Sequence, residues 1–486
     1  MDRILFLIIV LLTCLNSFSQ SKQPNVLFIA IDDMRPELNS YGKSQIISPN
    51  IDKLANEGIV FTRAYCQVAV CGPSRLSLMT GMHPDGIKNY GMSKSNKIEW
   101  RDFRPGVTSI PEQFRNNGYF AIGFGKIYDN RLGLDENFSW DEFNEGWKGK
   151  YISPRAKKIL AEAKAARNAG KKPEITRPAV DFYDTADESY TDGNIAKLAV
   201  DFVNGYDSEK PFFLAVGFNK PHLPFVAPKK YWDLYEREKI KLPEYLKPPK
   251  GKTPYTLSPY KEIEDYISKT IIDEAKIKEL RHGYYACVSY VDAQIGKIIN
   301  ALIEKGELEN TIIVLWGDHG FKLGDYGEWA KATNLEVDAR VPLIFRMPAK
   351  EHAGTKVVTP VELTDIMPTL CDVANIKTPS NAEGESLLPL FFNPEADFRP
   401  FALTQYARKE MAYSIRTKEW RYTEYINKKS YETIEQELYR IDDQTLMEDE
   451  NVEGKYPNVV TEMSKMLHDY IKTAPKWNSH MITSRS

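Results

Sequence analysis

Cysteine is scarce in this chain of 486 residues: five occur, and one of them, Cys14, sits in an N-terminal leader. The remaining Cys66, Cys71, Cys287 and Cys371 can form at most two pairs. That excludes a disulfide-built scaffold and leaves the fold to rest on its core. A strong charge excess is lacking as well. The formal net charge of −3 argues against a general nucleic-acid binder, although a local cluster of cations can still dominate a cleft and attract an anionic substrate. No later segment resembles a membrane span, and no internal repeat is visible.

The chain begins with what reads as an export signal. Arg3 supplies the positive end, Ile4 to Leu12 form an apolar run too short to cross a bilayer comfortably, and Ser17-Phe18-Ser19 offers a small-x-small cleavage pattern. The expected division is a signal peptide at 1–19, a catalytic unit at 20–395 and a C-terminal unit at 396–486. The mature protein is expected in the periplasm or outside the cell. Lipid anchoring at Cys14 is the less favoured reading, because Thr13 stands where a smaller residue is usual.

Short apolar runs alternate with helical patterns, as in an α/β sheet with covering helices. Asn25 to Ile31 is continuously apolar after its first residue, which suits a strand buried on both faces. Tyr119–Phe124, Pro211–Phe218, Thr311–Trp316 and Val341–Met347 are similar. Amphipathic stretches at Ile110–Asn117, Thr191–Gly205 and Ala275–Lys305 predict helices. Lys148 to Pro178 reads as a solvated helix and loop, secondarily as a surface that attracts a polyanion. Pro243 to Tyr260 reads as a surface excursion. Beyond a turn-rich boundary near 379–400, four short antiparallel strands and a helix at Val459–Lys472 are expected.

Chemistry-bearing residues follow four of the runs. Asn25–Ile31 ends in Asp32-Asp33, Tyr119–Phe124 in Gly125-Lys126, Pro211–Phe218 in Asn219-Lys220-Pro221-His222, and Thr311–Gly317 in Asp318-His319. Ligands in open α/β sheets bind outside the carboxyl ends of the strands, so acid, base and cation are expected at one edge.

Cys71-Gly72-Pro73-Ser74-Arg75, followed by Thr80-Gly81, resembles the signature of the formylglycine-dependent sulfatases. Asp32-Asp33-Met34-Arg35-Pro36, the stretch Phe213 to Phe225 and the run Asp318 to Lys331 (DHGFKLGDYGEWAK) look like the branch typified by iduronate-2-sulfatase. Glu437-Leu438-Tyr439 and Asn451 extend the likeness to the C-terminal region. The resemblance implies a large mixed, mostly parallel sheet sandwiched by helices, of the alkaline-phosphatase kind, with a smaller C-terminal α+β unit. It also implies that a maturation enzyme oxidises Cys71 to formylglycine (3-oxoalanine), whose hydrated diol attacks sulfur. Asp32, Asp33, Asp318, His319 and the residue at 71 would hold calcium, a hard cation suited to carboxylate oxygens. Arg75 would brace the nucleophile, Lys126 and Lys331 would clamp the sulfate, and His222 would protonate the departing sugar oxygen.

One position departs from the pattern. Relatives carry His three residues after the Lys corresponding to Lys126, whereas this chain has Asp129, expected to replace the missing base. The expected substrate is a sulfated carbohydrate, such as a terminal sugar of a glycosaminoglycan or ulvan fragment. Arg35, His83, Trp100 and Arg101 are candidates to line its pocket, each equally readable as structural. Two other readings stand beside this one: a phosphonate or phosphodiester hydrolase of the same superfamily, and an inactive carbohydrate-binding relative.

Overall fold

The computed structural model describes residues 23–92, 100–102, 104–173, 175–267, 272–473 and 482–483. The leader at 1–19, with Cys14, lies outside the described residues. Among those described, no helix is long and apolar enough to cross a membrane.

The apolar runs become strands of one sheet: β1 (Asn25–Asp32), β2 (Ile59–Tyr65), β3 (Phe120–Gly125), β4 (Glu142–Asn144), β5 (Phe212–Pro221), β6 (Thr311–Gly317), β7 (Arg340–Arg346) and β8 (Thr355–Val357). Their spatial order is β8-β2-β7-β6-β1-β5-β3-β4, with the short Val361–Glu362 strand also paired to β2. Strand β1 lies parallel to β5 and β6, β3 parallel to β5 and β4, and β8 parallel to β2. Strand β7 runs antiparallel to both β2 and β6. The sheet is therefore mixed and mostly parallel.

Burial on both faces explains why β1 has no polar alternation. Leu27, Ile29 and Ile31 enter a core shared with the helices Pro49–Asn56, Thr191–Gly205 and Glu274–Glu304. Val26, Phe28 and Ala30 enter a second core with the helices Cys71–Thr80, Ile110–Asn116 and Ile366–Val373. The helices begin where local chemistry satisfies their free N–H groups. Ser109 and Glu112 form a reciprocal capping box, and Asp273 accepts from the Lys276 N–H at 2.8 Å. The amphipathic stretches match the helices to within one residue at either end. Strand β2 was not anticipated, because Thr62 and Arg63 interrupt its apolar run.

A second sheet of four antiparallel strands, Ala402–Ala407, Met411–Arg416, Trp420–Ile426 and Thr433–Arg440, follows the turn-rich stretch. The Pro457–Thr473 helix covers it, burying Met463 and Leu467 against Leu403, Ile415, Tyr422 and Leu438. Buried ion pairs tie this sheet to the first unit: Glu336 meets Arg416 at 2.7 Å and Arg421 at 2.5 Å. Cys66, Cys71, Cys287 and Cys371 are all unpaired and buried.

Candidate active site

Four adjacent strands, in the spatial order β6-β1-β5-β3, run parallel and so open their carboxyl ends on one edge. Asp32 closes β1, Lys126 follows β3, His222 follows β5, and Asp318 and His319 follow β6. Residues nearly 300 positions apart in the chain are thereby neighbours: Lys331 Nζ lies 2.7 Å from Asp33 Oδ1. Cys71 comes from the fifth direction. It is the first residue of the Cys71–Thr80 helix, all ten residues of which are buried. The positive end of that helix dipole faces the site, which favours an anion there.

Close packing of backbone brings these strand ends together. A Cβ on Gly217 would stand 2.0 Å from the Lys126 carbonyl oxygen, so glycine there lets the chain after β3 cross β5. Asp33 has φ 61, a left-handed conformation that few non-glycine residues adopt. Its carbonyl is fixed by the Tyr284 hydroxyl at 2.9 Å, and its N–H donates to Asp318 Oδ1 at 3.0 Å.

Charges alternate through the site. Lys126 Nζ lies 2.5 Å from Asp32 Oδ2. Arg75 Nε reaches Asp318 Oδ2 at 2.8 Å, and its Nη2 stands 3.5 Å from Asp32 Oδ1. Burial alone would raise the Asp32 carboxyl, but Lys126, His222 and Arg75 hold it well below the usual range. Asp33 behaves oppositely. Burial, only partly offset by Lys331, pushes its carboxyl well above the usual range, with Asp32, Glu262 and Asp318 adding repulsion. Burial raises the Cys71 thiol too, helped by Asp32.

This donor set fits a cation. Ligand atoms of Asp32, Asp33, Cys71 and His319 all lie within 4.8 Å of one another. Asp32 Oδ1 and Asp33 Oδ2 are buried without a hydrogen-bond partner. His319 Nδ1 faces the Gly320 carbonyl oxygen at 2.9 Å, so it carries the proton and leaves the Nε2 lone pair directed at Cys71 Sγ, 3.2 Å away. A divalent cation among these oxygens would relieve the repulsion that protonates Asp33. Asp318 stands at the edge of the set. Its Oδ1 accepts from the N–H groups of Asp33 and His319, and its Oδ2 accepts from Arg75.

His222 faces the same space. Its Nδ1 donates to the Leu223 carbonyl oxygen at 2.5 Å, while Nε2 lies 3.3 Å from Glu262 and 4.0 Å from Asp33. Burial, with Lys331 next, depresses its proton affinity well below that of free histidine. Glu262, which the sequence reading missed, also meets Lys331 at 3.4 Å. It arrives on the short 3-10 turn Glu262–Asp265, where it is one of three acids and nothing in the pattern singles it out.

Asp129 is buried beside Lys126, at 3.7 Å, but Arg131 clamps both of its oxygens at 2.8 Å. Despite burial, the Arg131 hydrogen bonds and the Lys126 charge bring its carboxyl down to about 2. A carboxylate so held accepts a proton poorly, which weakens its expected role as the substitute base.

The site opens into a cavity of about 420 Å³ lined by Asp32, Lys126, Asp129, His222 and Glu262 among others. Arg35, His83, Trp100 and Arg101 do not line it. Arg35 pairs with Asp325 at 2.5 Å and Glu37 at 3.3 Å, and His83 bridges Glu362 at 2.7 Å and Glu383 at 2.9 Å. Arg101 pairs with Asp135 and lies 4.3 Å over the fully buried Trp100 ring. None of the four faces this cavity: His83, Trp100 and Arg101 are held by neighbouring groups, and Arg35 borders a separate cavity of about 300 Å³.

Known proteins share both sequence and shape with this chain. The family described as Sulfatase matches residues 24–376, and that described as N-sulphoglucosamine sulphohydrolase, C-terminal, matches 324–473. A sulfatase of Formosa agariphila is 32% identical over 414 residues, covering 83% of this chain and 79% of that protein. Human iduronate 2-sulfatase is 31% identical over 473 residues, covering 83% and 85%. A protein solved in complex with its substrate D-glucosamine-2-N,6-O-disulfate superimposes with a TM-score of 0.75 at 23% identity, covering 94% of this chain and 100% of the other. A phosphonate monoester hydrolase of Agrobacterium radiobacter gives 0.72 at 20% identity, covering 93% and 96%.

Proposed function

This chain belongs to the sulfatase family and hydrolyses sulfate esters, and from that premise we propose that it removes sulfate from a sulfated carbohydrate through a formylglycine at position 71. The observation that carries the reading is the convergence of Cys71, three carboxylates, two lysines and His222 on one sheet edge. The relative named iduronate 2-sulfatase supports a sulfated carbohydrate as the substrate class. A terminal sugar of a glycosaminoglycan or ulvan fragment, attacked from the chain end, is the form we favour. We further propose that the leader at 1–19 exports the protein to the periplasm or beyond, and that 20–395 and 396–486 are its catalytic and C-terminal units.

A maturation enzyme, drawing on an external oxidant such as dioxygen, oxidises the Cys71 side-chain carbon to an aldehyde with loss of its sulfur, and the aldehyde adds water to become a diol. One diol oxygen gives its proton to solvent and attacks sulfur, the bond from sulfur to the sugar oxygen breaks, and a protonated His222, whose hold on its proton burial and Lys331 weaken, delivers that proton to the sugar oxygen. The second diol hydroxyl then passes its proton to the Nε2 of His222, which the previous step left unprotonated; its oxygen re-forms the carbonyl as the bond from that carbon to the sulfate oxygen breaks, and sulfate departs. Lys126 and Lys331 hold the sulfate oxygens as compact point cations. Arg75, braced on Asp318, keeps positive charge beside the nucleophile. Asp129 contributes by holding Lys126 and Arg131 in place rather than as the proton acceptor. Calcium is the cation we assign to Asp32, Asp33, His319 and the residue at 71, with Asp318 adjoining; when bound it would offset the sulfate charge and acidify a coordinated hydroxyl.

The test combines product and protein chemistry. Purified protein is expected to release sulfate from members of a panel of defined sulfated oligosaccharides, and the peptide containing residue 71 to show the mass of an aldehyde. Cys71→Ala should lower turnover by at least about 10⁴-fold, as removal of a nucleophile does. An unmodified thiol in active enzyme would refute the mechanism. Cleavage of phosphonate monoesters in preference to every sulfate ester would favour the hydrolase reading of the same fold.

A further inference from the structure

Beyond the catalytic group, the cavity is walled by residues that the mechanism leaves unused: Trp147, Lys150, Arg177 and Lys220. Lys150 and Arg177 flank the solvated Pro154–Asn168 helix, so the two ends of that charged stretch return to the site. Among the described residues, no carboxylate pairs with the Lys150 ammonium; it lies 5.5 Å from the Trp147 ring centre. Lys220 Nζ donates to the carbonyl oxygens of His222 and Pro224, at 2.5 and 2.7 Å, and likewise has no carboxylate in ion-pair contact. Arg177 lies 4.2 Å over the Tyr266 ring, reaches Asp265 only at 3.9 Å, and keeps a buried Nε without a hydrogen-bond partner.

These cations act on one another. Burial, then the charges of Lys220, Arg177 and Lys126, brings the Lys150 ammonium down to about 8. Six acids line the cavity too; Glu262 meets His222 and Lys331, Asp265 stands 3.9 Å from Arg177, and among the described residues none is in ion-pair contact with Lys150 or Lys220. Asp32 holds Lys126, Asp129 is clamped by Arg131, and Asp192 accepts the N–H groups of Asn219 and Lys220. Two neighbouring ammonium groups that no carboxylate pairs with are stabilised when an anion arrives between them. We propose that Lys150, Arg177 and Lys220 form a second anion subsite, which binds a carboxylate or a further sulfate on the same substrate whose scissile sulfate lies at residue 71. The arginine fork suits a planar carboxylate, and the lysines serve either anion as point charges. The subsite rests on the sulfatase reading and narrows it: the preferred substrate carries at least two anionic groups.

Three matched substrates test this: a singly sulfated neutral sugar, the same sugar with a uronate carboxylate, and the same sugar with a second sulfate. Wild-type enzyme is expected to favour one or both doubly anionic sugars in kcat/KM, and the preferred arm identifies the second group. Lys150→Ala and Arg177→Ala should each raise KM for that substrate about tenfold, the usual loss for one charge-assisted contact, while kcat changes little. Discrimination against the neutral sugar should shrink by the same factor, and Lys150→Arg should restore most of it. Equal wild-type efficiency on all three sugars, or variants that lose activity on all three alike with folding intact by circular dichroism, would overturn the subsite alone. Failure of wild-type enzyme with a confirmed aldehyde to release sulfate from any substrate would sink the sulfatase reading and the subsite together.

Discussion

Asp33 sits in a left-handed backbone conformation, on a carboxylate that burial and its acidic neighbours drive toward the protonated form. A bound cation would favour the charged carboxylate and so offset the burial and repulsion that Asp33 bears. Chelator-stripped protein should therefore gain stability on calcium addition, by about 3 kcal/mol at a hundredfold excess over Kd, read as a rise of several degrees in Tm. Asp33→Asn should abolish the rise. An unchanged Tm across the titration would refute the cation assignment. At this scale the sequence was legible wherever a titratable residue followed a buried strand, as at Asp32, Lys126, His222 and Asp318. It was illegible where the function of a side chain depends on a neighbour far along the chain. Glu262 looks like any loop acid until the fold lays it against His222 and Lys331. Asp129 is the converse: its position was legible, but the Arg131 clamp that lowers its basicity is a matter of rotamers.

Among elements, the informative contact is the crossing of β3 and β5. Gly125, at φ +77, and Gly217 touch so closely that a methyl group on Gly217 would collide with the Lys126 peptide. Gly217→Ala is expected to cost about 2 kcal/mol, as overpacking of a close-packed core does. It should also displace Lys126, so kcat should fall more than Tm predicts. Thermal melts with sulfate-release kinetics check this, and a variant with full activity would show that Lys126 is placed by other contacts. Strands buried on both faces were readable because they are continuously apolar. Strand β2 was not, because Thr62 sends its hydroxyl to the Val357 carbonyl oxygen at 3.0 Å and Arg63 reaches out to Lys418 and Asp443. Those polar partners lie on later parts of the chain, so a local reading of IVFTRAY sees only an interrupted run.

Across the whole molecule, a buried charge network joins the main sheet to the C-terminal one. His83 bridges Glu362 and Glu383, while Glu362 also meets Arg399 at 2.8 Å and accepts the Leu403 N–H at 2.8 Å. Burial alone would lower the His83 proton affinity, but Glu362 and Glu383 outweigh it and push the imidazolium up to about 10. A histidine that binds its proton more tightly when folded stabilises the fold fully below its unfolded value of about 6.5 and loses that contribution as pH rises through about 10. His83→Gln should therefore cost about 3 kcal/mol near neutrality, the scale for breaking one side of a buried ion pair. The Tm gap between wild type and variant should narrow from about pH 6.5 upward and close by about pH 10, following that titration. A gap independent of pH would mean that His83 is neutral in the fold.

Cys71 heads a helix in which every residue is buried, and only 3% of its own surface is exposed. A second protein cannot bring a catalytic centre to a thiol that lies beneath the sheet edge. On the proposed function, conversion of Cys71 by a maturation enzyme would have to come before folding, while the segment is still an accessible peptide. Folding would then act as a one-way door: chains that close unmodified would be beyond repair, and the active fraction of a preparation would be set by a race between the modifying enzyme and the collapse of the core.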